Sequence, residues 1–202
     1  MNNIEYEKAA RGPLYPAATA EYAWGTTAIT GCAAAGISGA EDGTETCTTA
    51  NSRVTYNNIT FTTTGDLGAG PTRAGMYAKS TTTDRLSAGA GYWGILDLTG
   101  NVQEMIVNIG TVTGRNFAGT HGDGTLTTLS TFEGNATNFD WPGLSATTDQ
   151  GVTTAAGSGV KGGSWNEATV ARLAIGDRNQ IASAPSTRTN TTGGRGVRTA
   201  SA

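Results

Sequence analysis

Gly94-Ile95-Leu96-Asp97-Leu98-Thr99-Gly100-Asn101-Val102-Gln103-Glu104 joins two apolar stretches through an acidic, glycine-centred turn. It starts inside the densest apolar run of the chain, Tyr92 to Leu98, and leads into a second extended candidate from Val102 to Ile109. Two acidic side chains, Asp97 and Glu104, flank Gly100, whose missing side chain permits a tight turn. Such a turn can aim the carbonyls of Gly100 and Val102 at the point reached by both carboxylates. Oxygen donors of this kind, completed by water, suit Ca²⁺, a hard ion that takes about 6–8 of them. The alternative is a solvated turn with an exposed Asp and Glu.

Upstream, Asn2 to Pro13 reads as one short helix. Asn2 can cap it, Glu5 lies near its positive end, Arg11 near its negative end, and Gly12-Pro13 stops it. Residues 13–90 are mostly turns and short extended pieces punctuated by Gly, Pro, Asn and Asp, with Val54-Thr55-Tyr56 and Ile59-Thr60-Phe61 as β-like segments. The two cysteines, Cys32 and Cys47, lie in a polar, glycine-rich insertion where a buried free thiol has little to pack against. A disulfide is expected there. It would contribute about 3 kcal/mol by loop-closure entropy and imply an oxidising compartment. Two unpaired buried thiols are the alternative. A zinc site is not expected, since no CxxC occurs and His121 is the only histidine.

Downstream, residues 110–160 are Gly- and Thr-rich, with Trp141-Pro142-Gly143 as an anchor and turn. The tail carries Gly162-Gly163-Ser164-Trp165, Arg172, Arg178 and Gly196-Val197-Arg198. The four tryptophans, Trp24, Trp93, Trp141 and Trp165, read as core anchors, with sugar stacking as the minority alternative. His121 and Asp123 can form an acid–base pair but read first as a surface turn. Gly193-Gly194-Arg195-Gly196 does not open a helix after a strand, so it is weak as a nucleotide motif. Asn-x-Thr triplets at Asn58, Asn135 and Asn190 arise readily by chance in a chain where Thr outnumbers even its 30 glycines.

Composition bounds the function classes. In 202 residues only 14% are charged and 37% are hydrophobic, which allows a modest core. The net charge of −3 argues against a nucleic-acid partner, whose electrostatic footprint is basic. No run approaches the roughly 18 apolar residues of a membrane helix. No basic segment followed by an apolar one opens the chain, so a signal peptide is not expected. Long irregular segments need internal staples such as aromatics, buried arginines, a metal or the disulfide.

The order of motifs resembles the formylglycine-generating (sulfatase-modifying factor) family. Glu5-Tyr6-Glu7-Lys8-Ala9-Ala10-Arg11-Gly12 is similar to that family's EWEYAARG, Tyr22-Ala23-Trp24-Gly25 to its YPWG, and Gly94 to Glu104 to its GLYDMAGNVWEW. Gly162 to Trp165 matches GGSW, and Gly196-Val197-Arg198 resembles the closing GFR. These motifs span nearly the whole chain. The resemblance implies an α+β, C-type-lectin-like fold with low regular secondary structure and long loops. It implies a single domain over 1–202 that lacks an N-terminal part, whose missing strand another chain can supply.

The resemblance also implies a structural calcium ion held by Asp97, Gly100, Val102 and Glu104, and a looser second site near Asn51 and Asp66. Arg172, Arg178 and Arg198 resemble the family's buried arginines, whose donors can satisfy loop carbonyls. Family oxidases carry two copper-binding cysteines just after GGSW, and related iron enzymes need three histidines. Here Asn166 to Arg172 contains neither cysteine nor histidine. The implied function is therefore non-catalytic: a secreted or cell-surface domain for binding or adhesion, or a structural subunit of an extracellular assembly such as a filament. A metal-dependent oxidase of the family's type is the alternative. Protein partners, copies of the chain itself or a glycan would meet the segment after GGSW, through Trp165, Asn166, Glu167, Arg172, Arg178, Asn179, Arg188 and Asn190.

Overall fold

The computed structural model describes residues 1–13, 18–32, 36–38, 43–57, 70–119, 124–145, 147 and 149–196. The protein is α+β with little regular secondary structure. Helix α1 spans Asn3–Arg11 and carries a full capping box: Asn2 Oδ1 accepts the Glu5 N–H at 2.8 Å, and Glu5 Oε2 accepts the Asn2 N–H at 2.7 Å. Gly12 ends it in a left-handed turn at φ 74°. A Cβ there would lie 2.4 Å from the Tyr92 ring, so only glycine lets that ring close over the helix end. Asn3, Tyr6 and Ala10 form the buried face of α1, while Ile4 points out.

Strands β1 (Ile37–Ser38) and β2 (Thr46–Cys47) form a two-residue antiparallel pair. The Cys32–Cys47 disulfide ties that pair back to the chain before it, as the composition of the insertion leads one to expect. Cys32, Ile37, Cys47, Met76 and Tyr77 make a small core around the bridge. Helices α2 (Arg85–Ala88) and α3 (Val112–Arg115) are single turns, each started by a side-chain cap from Asp84 or Thr111.

The main sheet has three strands. β3 (Gln103–Val107) is central, β4 (Ser158–Lys161) pairs with it antiparallel, and β5 (Thr192–Gly194) pairs with it parallel. Met1 accepts the Val107 N–H at 2.9 Å, so the start of the chain lies beside the end of β3. Tyr6, Ala10, Ala23, Leu98, Ile106 and Ile175 form the core between α1 and this sheet. A neighbouring core joins Tyr22, Trp24, Val54, Leu173 and Ala174.

Several expectations need correction. The apolar run Tyr92–Leu98 is a series of turns rather than a strand, because Gly94 and Asp97 both take positive φ. Val54 makes only an isolated bridge to Gly31. Trp24 and Trp165 are buried, but Trp93 is 57% exposed and Trp141 is only half-buried, its ring edge-on to Phe117. Arg172 and Arg178 are not buried: their side chains are 40% and 54% exposed. Among the described residues the buried cation is Lys161, whose ammonium donates to the carbonyls of Ile175 and Asp177, each at 2.6 Å. Its four-carbon stem, emerging from β4, is long enough to reach both loop carbonyls. Ile59 to Phe61, Asn58, Asp66, His121, Asp123, Val197 and Arg198 lie outside the described residues.

Candidate functional site

The turn from Asp97 to Glu104 is held by its own backbone chemistry. Asp97, Gly100 and Asn101 all take left-handed φ, at 57°, 74° and 62°. Asn is among the few side-chain-bearing residues that enter this region readily. Asn101 uses that position fully. Its N–H donates to Thr55 O, its carbonyl accepts the Trp165 N–H at 2.7 Å, and its side-chain amide pairs with both backbone groups of Thr72. One asparagine thus ties together the turn, the Val54 segment, the Thr72 segment and the GGSW segment. The Gly-Asn dipeptide carried that signal in the sequence, but its partners were not predictable from it.

Asp97, Val102 and Glu104 line one cavity of about 500 Å³, together with Thr72, Gly75 and Arg195. Gly100 packs instead against Val54 and Thr55 and is not part of that lining. Asp97 Oδ2 accepts the Gly75 N–H at 2.7 Å. Burial raises the Asp97 carboxyl above its ordinary range, against the pull of that N–H and of Arg195. Burial raises Glu104 too, with Arg195 opposing and Asp97 adding to the rise. Two carboxylates in one low-dielectric cavity repel one another and attract a cation. The cation present is Arg195, absent from the sequence-based candidates. Its Nε and Nη2 donate to Glu104 Oε1 at 3.0 and 2.8 Å, and Nη2 also donates to Leu96 O at 3.0 Å.

The donor chemistry fits a calcium ion in part. Among the described residues, Asp97 Oδ1 and Glu104 Oε2 carry no hydrogen bond, so each acid keeps one oxygen for a metal. Glu104 Oε1 is committed to arginine. No three His, Cys, Asp or Glu side chains converge among the described residues. Asn51, placed in the looser second site, lies on an exposed turn with its carbonyl accepting from Arg53.

The candidate contact segment follows β4. Trp165 is 6% exposed, so it supports the segment from beneath rather than facing a partner. Its indole N–H donates to Asn190 O at 3.0 Å, which closes residues 166–190 into a loop pinned at its root. Lys161 holds the middle at Ile175 and Asp177, and Val160 N–H donates to Gln180 O. Between these tethers Asn166, Arg178, Asn179, Arg188 and Asn190 are exposed. Glu167 pairs with Arg172 at 3.4 Å, and Arg178 reaches back to Glu7 of α1 at 3.1 Å. No helix of the described residues is long and apolar enough to cross a membrane.

No family model, curated protein or solved structure matches the chain.

Proposed function

We propose that this chain is a non-catalytic binding module of a secreted or cell-surface protein, with residues 166–190 as its contact loop. The carrying observation is the closure of that loop at its root by the buried Trp165 on Asn190. A long polar loop normally loses much conformational entropy when it binds. Anchoring both ends and the middle removes part of that cost beforehand. The exposed Arg178, Asn179, Arg188 and Asn190 then supply adaptable hydrogen bonding on a preorganised frame.

The order of motifs supports placing this loop on the C-type-lectin-like fold of the formylglycine-generating family, a scaffold suited to display. The Cys32–Cys47 bridge supports an oxidising compartment. A structural calcium ion at Asp97 and Glu104, with the carbonyl of Val102, belongs to the same proposal; Gly100, outside the cavity lining, is dropped from the ligand set. It would pull the cavity walls together behind β3. The partners are other proteins, copies of the chain in an extracellular assembly, or a glycan.

The test compares the unmodified protein with the triple variant Asn179→Ala, Arg188→Ala, Asn190→Ala. Glycan arrays read sugar binding, and light scattering across protein concentration reads self-association. One of them is expected to give a signal that falls at least tenfold in the variant, at unchanged melting temperature. Copper or iron in the purified protein together with oxygen uptake on a thiol peptide would replace this reading with the oxidase. A variant signal equal to that of the unmodified protein would remove the loop from the site.

A further inference from the structure

A second cavity, about 650 Å³ in volume, lies at the C-terminal end of α1, against Ala10 and Arg11. Ala10, Ala18 and Ala23 give it apolar wall, Tyr22 and Tyr92 give it aromatic wall, and Arg11, Glu21 and Arg85 bring charge. That volume falls within the range of small-molecule pockets, as does the mix of apolar wall with few polar groups.

The two arginines differ. Arg11 is consumed: it donates through Nε to Glu21 and through Nη1 to Glu7 at 2.9 Å. Arg85 has no carboxylate partner among the described residues, and its Nη1 is buried without a hydrogen-bond acceptor. Its guanidinium carbon lies 5.8 Å from the centre of the Tyr92 ring. The chain also makes deliberate room for it. A Cβ on Gly25 would sit 1.6 Å from Arg85 Nη2, and Gly25 takes φ +85°. Only glycine allows the guanidinium into this position.

We propose that this cavity binds a small organic monocarboxylate, with Arg85 as the group that accepts its charge. A planar guanidinium matches the two oxygens of a carboxylate as a fork. The charges on the wall select a single negative charge. Arg11 and Glu21 cancel, which leaves one positive charge in excess, and Glu21 repels a second negative charge. A phosphate monoester, close to doubly charged, therefore fits less well. The alanines and the two tyrosines receive an apolar or aromatic body. Glu21 and Tyr22 meet the contact loop at Ile175 and Val170, but residues 179, 188 and 190 lie outside the cavity lining, so the variants of each site test it separately.

The experiment uses ligand-observed NMR and calorimetry on the intact protein. The probes are benzoate and 3-phenylpropionate, their neutral amides, and inorganic phosphate. The acids are expected to bind saturably at millimolar concentration or below, and the amides at least tenfold more weakly. Arg85→Gln is expected to lose at least tenfold in acid affinity, and Arg115→Gln, an exposed charge elsewhere, to lose none. Arg85→Lys, which keeps the charge but not the fork, should fall between them. If Arg85→Gln does not fold, the acid-to-amide ratio on the unmodified protein decides. Equal binding of acids and amides, full retention in Arg85→Gln, tighter binding of phosphate, or no saturable binding of either acid would each overturn the proposal.

Discussion

Arg195 grips Glu104 through two nitrogens on one carboxylate oxygen, across 91 residues of sequence. The contact exists because β5 runs parallel to β3 and sets Gly194 beside Met105. It places a fixed cation where the acidic pair Asp97 and Glu104 would otherwise draw in a mobile one. Arginine and calcium therefore compete for Glu104. In calcium-free buffer, Arg195→Gln should destabilise the protein by about 1–3 kcal/mol, because it leaves a buried carboxylate with no cation. With calcium the same variant should gain more in melting temperature than the unmodified protein, and Glu104→Gln should gain nothing. Thermal melts with calcium and with chelator check all three. A melting temperature that ignores both additions in every variant would show that arginine alone serves this cavity.

The Cys32–Cys47 bridge closes a sequence separation of 15 residues around a small core of its own. By the chain-entropy argument, replacing both cysteines with serine should cost about 3 kcal/mol. The loss should appear as a lower denaturant midpoint. Amide exchange should quicken most at Ile37, Cys47, Met76 and Tyr77, since α1 and the main sheet pack elsewhere. Uniformly faster exchange across the chain would mean that the two cores unfold as one unit.

What the sequence could reveal was what is local. Asn2, Glu5, Arg11 and Gly12 fall within three turns of helix, and each acts on α1 as its chemistry dictates. The strand after Val102 was legible in the same way, from a β-rich run next to a turn signal. The run Tyr92–Leu98 was not, because continuous apolar residues fit either a strand or a packed string of turns. Gly94 and Asp97, both at positive φ, decided for turns. The cations failed for another reason. Charge is written in the sequence, but which cation lies beneath a loop depends on contacts that no short window contains. Lys161 reaches Ile175, Arg195 reaches Glu104, and Arg85 reaches none of the acids among the described residues. Arg172 and Arg178, read as buried, stay at the surface on Glu167 and Glu7.

Lys161 makes stability depend on alkaline pH. Burial lowers its ammonium to about 8, against the opposing pull of Glu7. In the unfolded chain a lysine keeps its ordinary value of about 10.4. Between those values the unfolded state holds more protons than the folded one, so stability rises with pH. The slope is at most about 1.4 kcal/mol per pH unit. Below about pH 8 the ammonium is charged in both states and its contribution is constant. Tyr6 and Tyr77, both raised by burial, act in the opposite direction, but only above the ordinary tyrosine value of about 10. Denaturant midpoints from about pH 7.5 to 9.5 should therefore climb in the unmodified protein and stay flat in Lys161→Met. Superimposable profiles would mean that the carbonyls of Ile175 and Asp177 hold the proton as firmly as water does.

Gly94 and Gly100 separate conformational strain from crowding within one turn. Both have positive φ, 77° and 74°. A Cβ on Gly94 would meet nothing within 4 Å, whereas one on Gly100 would lie 2.4 Å from Val54 Cγ2 and 2.5 Å from Thr55 O. Gly94→Ala should therefore cost only the left-handed penalty, about 1–2 kcal/mol. Gly100→Ala adds overpacking against a buried valine and a backbone carbonyl, for a total of about 2–5 kcal/mol. The displacement should also break the Asn101 N–H bond to Thr55 and the Gly100 N–H bond to Gly162, at 2.9 and 2.7 Å. The first ties the turn to the Val54 segment and the second to the strand that leads to Trp165. Gly100→Ala should then speed amide exchange at Asn101 and Trp165, while Gly94→Ala leaves both protected. Equal costs for the two substitutions would show that the turn yields freely, and that its approach to Val54 contributes nothing to holding the contact loop in place.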